Sequence, residues 1–220
     1  MKKLFCIIAA ASLLAIGVSA QNYETEKKVK HVSSTATTIN GHFGIRVGGE
    51  IVCPGDISQD GVGVDAFSVG GGIEFGAIYY APIKAGLYIE PGLKLYYNQY
   101  SLNSDMTEVD ASVRKFGMRI PVMVGYRFEI ADKTGLHLFT GPEFEIGISA
   151  KEHSDGYSES LYGDDGGMKR VDLLWGIGAG VSYKHFFYAV SGSLGMLNML
   201  SDSDAKFHEN RVTFTIGYNF

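Results

Sequence analysis

Residues 116–128 read FGMRIPVMVGYRF, and every second side chain in this stretch is apolar without exception. Glycine and arginine recur at the positions between them, at Gly117, Arg119, Gly125 and Arg127. A period of two places alternate side chains on opposite faces of a β-strand. The stretch therefore predicts a strand with one oily face and one face of glycine and charge. The oily face comprises Phe116, Met118, Ile120, Val122, Val124, Tyr126 and Phe128.

The same period recurs in seven other segments, which brings the predicted strand number to eight. In the segment 67–79 we expect the oily face to begin at Phe67. The lengths match the roughly 9–11 residues that a tilted membrane-spanning strand needs. Pro91, Pro121 and Pro142 lie inside predicted strands, where each removes a backbone donor, so we expect bulges there. The seven segments are 41–51, 67–79, 87–98, 136–149, 172–183, 188–196 and 211–220.

Short and long connections alternate strictly along the chain. A soluble sandwich has no reason for this alternation, whereas an outer-membrane barrel has short periplasmic turns and long external loops. The sequence therefore predicts an all-β protein, an eight-stranded antiparallel up-and-down transmembrane β-barrel, over residues 40–220. The short connections are 81–85, 131–135 and 184–185, and the long ones are about 53–66, 101–114, 150–169 and 199–208.

The alternative fold is a soluble barrel or calyx, in which the oily face points inward. Glycine weakens a solvent-facing strand, but inside a narrow barrel it leaves room for long charged neighbours. Six basic and seven acidic residues on the second face are nearly balanced, as buried charges must be. We therefore predict a closed lumen filled by an ion-pair network. Its members are Arg46, Glu50, Glu74, Glu90, Lys94, Arg119, Arg127, Glu129, Glu143, Glu145, Asp172, Lys184 and Arg211.

Two other functions remain as alternatives. A small-solute porin is the first, although a pore tends to line its wall with charge of one sign. An outer-membrane lipid-modifying hydrolase is the second, and it would use His153 and Ser154 beside Glu152 and Asp155 in the longest loop. Adjacent loop residues rarely aim at each other, so we expect no catalytic residue and no enzymatic activity.

No cofactor or metal site is predicted. Asp164 and Asp165 lie between glycines that could let them hold Ca²⁺, but their spacing fits no EF-hand loop. The glycine runs lie within strands, and none forms a phosphate-binding loop between a strand and a helix.

The N-terminal 20 residues predict a secretory signal peptide, with Lys2 and Lys3, an apolar run and small residues before Ala20. Its loss takes the formal net charge from −5 to −7, which argues against a nucleic-acid partner. Residues 21–39 are polar and without period, so we expect a flexible periplasmic tail.

The last ten residues, RVTFTIGYNF, form the eighth predicted strand and end on an aromatic side chain. An even strand number with a periplasmic tail places this end at the periplasmic rim. There it would join an interfacial girdle of Tyr79, Tyr126, Phe128, Tyr183, Phe186, Tyr188 and Tyr218.

The segments GLYIEPGLKLYY, FGMRIPVMVGYRF, LLWGIGAGVSY and VTFTIGYNF resemble the porin-family (PorT-type) outer-membrane β-barrel domain, over about residues 40–220. The resemblance implies an outer-membrane barrel of Gram-negative bacteria, one branch of which supports protein secretion. It also implies that the last strand is the signal read by the barrel-assembly machinery, carried by Phe214, Ile216, Tyr218 and Phe220.

We expect a monomer of structural or interaction type, serving envelope integrity, surface contact or secretion support. Its partners would be outer-membrane lipid and lipopolysaccharide, the barrel-assembly machinery and an envelope or secretion protein. Acids in the long loops, such as Asp56 and Asp204, could meet lipopolysaccharide phosphates through divalent cations, although simple solvation also explains them.

Overall fold

The structure is a computed structural model, and it describes residues 40–59, 62–102, 111–154, 157–163, 167–201 and 204–220. The signal peptide and tail predicted over residues 1–39 lie outside these ranges. No helix with the length and apolar character of a membrane span occurs in the described ranges. The strands are β1 (His42–Pro54), β2 (Ile57–Gln59), β3 (Val62–Val64), β4 (Gly70–Lys84), β5 (Leu87–Ser101), β6 (Ala111–Ala131), β7 (Thr134–Ser154), β8 (Tyr157–Ser160), β9 (Val171–Tyr183), β10 (Phe186–Gly195) and β11 (Glu209–Asn219).

Eight of these strands close into a barrel in the order β1, β4, β5, β6, β7, β9, β10 and β11. Every neighbouring pair is antiparallel, and β11 returns to pair with β1 over Gly44–Pro54. The predicted all-β, eight-stranded antiparallel barrel is confirmed. Closure leaves none of these eight strands with an unpaired edge, which is what a sheet in hydrocarbon requires.

Three tight turns mark one end of the barrel, which we call the short-turn end. They lie at residues 85–86, 132–133 and 184–185. Ala85 and Gly86 both have positive φ, of 50° and 90°, as a two-residue hairpin turn of type I′ requires. The first turn lies later than predicted because β4 continues through residues 81–84.

The opposite, long-loop end carries the four longer connections. Two of them are shorter than predicted, because β6 already begins at Ala111 and β7 continues to Ser154. The strand β8 then pairs back along β7, and β2 pairs with β3 in the first connection. Strands outside a bilayer can pair through their backbones without apolar side chains on the outer face. The alternating apolar pattern therefore ends before the strand pairing does.

The expectation of bulges at Pro91, Pro121 and Pro142 is wrong. Register is unchanged across all three prolines, and the pairing is interrupted beside each of them without a shift. Shifts in register occur instead at Pro82, between Phe116 and Gly117, and near the turn after Glu129. Pro91, Pro121 and Pro142 therefore interrupt the ladder without adding a residue to the strand.

The oily face points outward and the charged face points inward, as the exposures of individual side chains show. Ile73, Ile177 and Ile216 are 65%, 61% and 59% exposed, whereas Arg119 and Arg211 are almost fully buried. Water-soluble proteins show the reverse arrangement. Phe67 differs from its predicted outward placement: it precedes β4, and its ring centroid lies 5.4 Å from that of Tyr100 inside the barrel.

Candidate functional site

The centre of the lumen is occupied by Arg119 of β6, which faces carboxylates from three other strands. Its Nη1 lies 2.6 Å from Glu50 Oε1 and 2.7 Å from Glu74 Oε2. Its Nη2 lies 3.3 Å from Glu145 Oε2, and its Nε lies 3.7 Å from Glu143 Oε2. Four carboxylates thus surround one guanidinium, whose planar fork suits several simultaneous contacts.

Two further cations extend this network towards the long-loop end. Arg211 Nη2 lies 2.6 Å from Glu145 Oε2, so Glu145 contacts two arginines. Lys115 Nζ lies 3.0 Å from Glu209 Oε2 and 3.6 Å from Glu145 Oε1. All of these side chains are nearly inaccessible to water. Removing one partner from such a network leaves a buried, unpaired charge, which is strongly destabilising.

Two more ion pairs continue the network towards the short-turn end. Lys94 Nζ donates to Glu74 Oε1 at 2.7 Å. Arg46 Nη2 lies 3.3 Å from Glu90 Oε2, and its Nη1 donates to Asn219 Oδ1 at 2.9 Å. Ion pairs therefore follow one another along the lumen from one end of the barrel to the other.

Clusters of apolar and aromatic residues cover the network at both ends. At the short-turn end Tyr80 and Tyr88 lie with ring centroids 4.6 Å apart. At the long-loop end Val52, Tyr100 and Val113 pack with neighbouring apolar side chains. Tyr162, which follows β8, is also buried, and its phenol lies against Gly147 of β7. These clusters limit water access and so strengthen the interactions between the charges. The apolar side chains that pack against Val52, Tyr100 and Val113 at the long-loop end are Phe67, Leu102 and Leu161.

Nine of the thirteen predicted lumen residues join this network, and four do not. Asp172 is buried, but its Oδ1 accepts a hydrogen bond from the Leu173 backbone and forms no ion pair with another described residue. Arg127 is half-buried in a cavity at the short-turn end. Glu129 and Lys184 were wrongly placed in the lumen: both are exposed, because the chain is turning beyond the barrel wall at these positions.

Sequence reasoning missed Lys115 and Glu209. Each extends an inward series by one step, since Lys115 lies two residues before Gly117 and Glu209 two before Arg211. The signal was present in the period of two. Both residues were overlooked because the predicted strands began at Phe116 and Arg211, one and two positions after them, whereas the observed strands begin at Ala111 and Glu209.

The residues considered for catalysis do not converge. His153 and Ser154 are neighbours on β7, where they pair with Ser158 and Tyr157 of β8. Adjacent strand residues point to opposite faces. Asp155, Asp164 and Asp165 lie outside the described residues. Within the described ranges, no three His, Cys, Asp or Glu side chains form a group that could hold a metal ion.

The four predicted signal residues of the last strand all face outward. Phe214, Ile216, Tyr218 and Phe220 are 43%, 59%, 37% and 70% exposed. The Tyr218 ring contacts those of Phe186 and Phe220, at 5.6 Å and 5.4 Å between centroids. Exposed aromatic side chains thus form a band at the short-turn end, where an interfacial girdle is expected.

A closed barrel with an oily exterior and a charged interior is the arrangement of outer-membrane proteins. A family model described as "Outer membrane protein beta-barrel domain" matches residues 18–201, most of the chain. This chain belongs to that family. The short turns of such outer-membrane barrels face the periplasm, and the long loops face outward. The match supports an outer-membrane barrel family but does not confirm the narrower PorT-type resemblance.

Solved structures similar to this outer-membrane barrel include Neisserial surface protein A, at 12% identity and a TM-score of 0.48, covering 83% of this chain and 100% of that one. OprG from Pseudomonas aeruginosa gives 10% identity and a TM-score of 0.46, covering 82% and 96%. The outer membrane enzyme PagL gives 10% identity and a TM-score of 0.42, covering 77% and 97%. At these scores the similarities do not define a role for this chain. A search of curated proteins found no significant match.

Proposed function

We propose that this outer-membrane barrel is a non-conducting, non-enzymatic protein of structural or interaction type. The observation that carries the proposal is the position of Arg119, which joins Glu50, Glu74, Glu143 and Glu145 across the middle of the lumen. Side chains from β1, β4, β6 and β7 thus meet where a channel would need open space.

Three further features support closure over a small-solute channel. The cavity beside Glu74, Lys94 and Glu143 has a volume of only about 40 Å³, which suits a few water molecules. Both signs of charge are present and paired, whereas pores tend towards one sign. The apolar clusters at the two ends add a second obstruction to solute.

Reconstitution in planar bilayers tests closure directly. The purified full chain is expected to give no current steps of steady size, while a large porin reconstituted in the same way gives them. A second sample in which Arg119 and Arg211 are replaced by alanine shows whether loss of the network opens a path. Steady unitary currents from the unaltered protein would overturn the proposal.

The absence of enzymatic activity is part of this proposal and has its own test. Lipid deacylation is measured on lipid A for the unaltered protein and for Ser154→Ala. We expect equal, negligible activity, since the strand geometry turns His153 and Ser154 to opposite faces. Activity that depends on Ser154 would establish the hydrolase instead.

We also propose which partners contact the surface of the barrel. The PorT-type resemblance favours a secretion or envelope protein as partner, and the loops are where such a partner or lipopolysaccharide would bind. The outward aromatic residues of β11 would be read by the barrel-assembly machinery. We expect the assembled protein to be a monomer in outer-membrane lipid.

A further inference from the structure

A cavity of about 190 Å³ opens at the short-turn end, beneath the aromatic cluster of Tyr80 and Tyr88. All eight barrel strands contribute to its wall, and basic side chains dominate the polar part of that wall. A second concavity of about 360 Å³ adjoins it. Both contain Arg127, Lys184 and His185, so we treat them as one basin, the periplasmic mouth.

Most of the basic groups in this mouth lack an acidic partner. Glu90 is the acidic side chain among the described residues that line it, and it already pairs with Arg46 at 3.3 Å. Neither Arg127 nor Lys184 forms an ion pair with a described residue. Lys133 adds a third such cation in the adjoining concavity. The terminal carboxylate of Phe220 is the remaining negative charge at the wall.

The nearby acidic residues do not neutralise this excess. Glu129 and Asp132 belong to the end of β6 and its turn, both are exposed, and neither lines the mouth. A concave site with an excess of one sign, walled by protein, focuses its potential on an ion of opposite charge. The periplasmic mouth differs in this from the lumen centre, where every arginine meets carboxylates.

The mouth also offers the donor groups that suit a phosphate. Arg127 supplies a planar fork of N–H groups, and Lys184 supplies an ammonium on a flexible stem, with its Nζ 5.2 Å from the centroid of the Tyr183 ring. Ring nitrogens of His42 and His185 lie in the same wall. His137 is committed to Ser182, with Nε2 and Oγ 2.9 Å apart, and closes the floor with the rings of Tyr88 and Phe187.

We propose that the periplasmic mouth is a binding site for a phosphate group, with Arg127 and Lys184 as its principal ligands. The phosphate has two available sources, a soluble phosphate-bearing molecule of the periplasm and the headgroup of an anionic lipid in the inner leaflet. The exposed rings of Tyr183 and Phe186 flank Lys184 in the turn, at the depth where headgroups lie. The proposal does not depend on closure of the lumen.

Histidine ring signals in proton NMR report on this site with an internal control. His42, His137 and His185 line the mouth, whereas His153 and His208 lie at the long-loop end. The full chain in phosphatidylcholine nanodiscs is titrated with inorganic phosphate at fixed pH and ionic strength. In a second arm, phosphatidylglycerol replaces a rising fraction of the phosphatidylcholine without added phosphate.

We expect a saturable shift of the mouth signals and no shift of the His153 and His208 signals. Response to inorganic phosphate identifies a soluble ligand, and response to phosphatidylglycerol alone identifies a lipid headgroup. Replacing Arg127 and Lys184 by glutamine should weaken binding by at least about tenfold, since charge-assisted hydrogen bonds are lost.

A matched variant carries the same charge change at Arg114 and Lys169, away from the mouth, and should bind like the unaltered protein. Unchanged His153 and His208 signals verify that each variant is folded. Lys184→Gln alone, on an exposed turn, provides a second variant that leaves the barrel wall intact. The proposal is overturned if neither titrant shifts the mouth signals, if these five histidine signals all shift alike, or if binding survives the loss of Arg127 and Lys184.

Discussion

Arg119 Nη1 lies 2.6 Å from Glu50 Oε1, although β4 and β5 separate their strands around the barrel. The contact therefore crosses the lumen instead of following the wall. Because Arg119 also meets Glu74 of β4 and Glu145 of the neighbouring strand β7, one side chain joins strands on both sides of the lumen. The interior of this protein is held by charge where a soluble barrel would use hydrocarbon.

Loss of the central guanidinium should destabilise the barrel severely. Arg119→Met keeps the approximate volume but leaves four carboxylates without their shared cation, at a cost of about 3–5 kcal/mol in the free energy of unfolding. Urea unfolding of the barrel in lipid vesicles measures the change. Arg114→Met makes the same replacement on the exposed face of β6 and should cost well under half as much. Equal effects at the two positions would contradict a special role for the lumen.

Lys115 and Glu209 should be energetically coupled. Their Nζ and Oε2 atoms are 3.0 Å apart and both side chains are buried, so each single change removes the nearest ion-pair partner of the other group. In a double-mutant cycle with Lys115→Met and Glu209→Gln, the double variant should be more stable than the sum predicts, by about 0.5–3 kcal/mol. Strict additivity would show that the two groups do not interact in the folded barrel.

Replacing an outward-facing apolar residue by arginine should lower the free energy of unfolding of the barrel, and more so the deeper the residue lies in the bilayer. Ile177 lies at the middle of β9 and is 61% exposed, so Ile177→Arg places a charge in hydrocarbon at a cost of about 2–4 kcal/mol. Ile83 is 55% exposed but lies at the end of β4, near the headgroups. There Ile83→Arg should cost about 0–1 kcal/mol. If unfolding in vesicles showed a larger cost for Ile83→Arg than for Ile177→Arg, the bilayer would surround a different part of the barrel.

The terminal aromatic residue should affect assembly in cells more than stability in vitro. Phe220→Ala is expected to lower the amount of folded barrel in the outer membrane several-fold, because the assembly machinery would read that side chain. Refolding of the purified variant into detergent should be nearly unchanged. Phe186→Ala, another exposed ring that contacts Tyr218, provides the control and should assemble normally. Parallel losses in both assays, or equal losses for both variants, would count against recognition of Phe220.

The period of two sufficed to predict the closed barrel and the inward face. Residues such as Arg119 and Glu145 could be placed because alternation fixes the face of every strand position once one is known. The strand ends could not be predicted in the same way. Backbone pairing continues beyond the oily band at Ala111 and Ser154, and no side-chain signal marks where it stops.

The partners within the lumen were also beyond prediction. Alternation gives the face of Glu50 but not its height relative to Arg119, which depends on the stagger of four strands. The mouth illustrates the same limit. Arg127 and Lys184 were counted with the ion pairs by parity alone, yet they lie where the wall ends and form no ion pair with a described residue.

The most direct measurement uses Trp175, the single tryptophan of the chain, which lies on the outer face of β9 and is 47% exposed. Its fluorescence is recorded in vesicles whose acyl chains are brominated and in matched vesicles without bromine. If the oily face meets lipid, bromine should quench most of the emission, and the spectrum should lie at shorter wavelengths than in the unfolded chain. Equal intensity in the two kinds of vesicle, from a chain that stays folded without detergent, would show that Trp175 does not face hydrocarbon and that the barrel is not oriented as described.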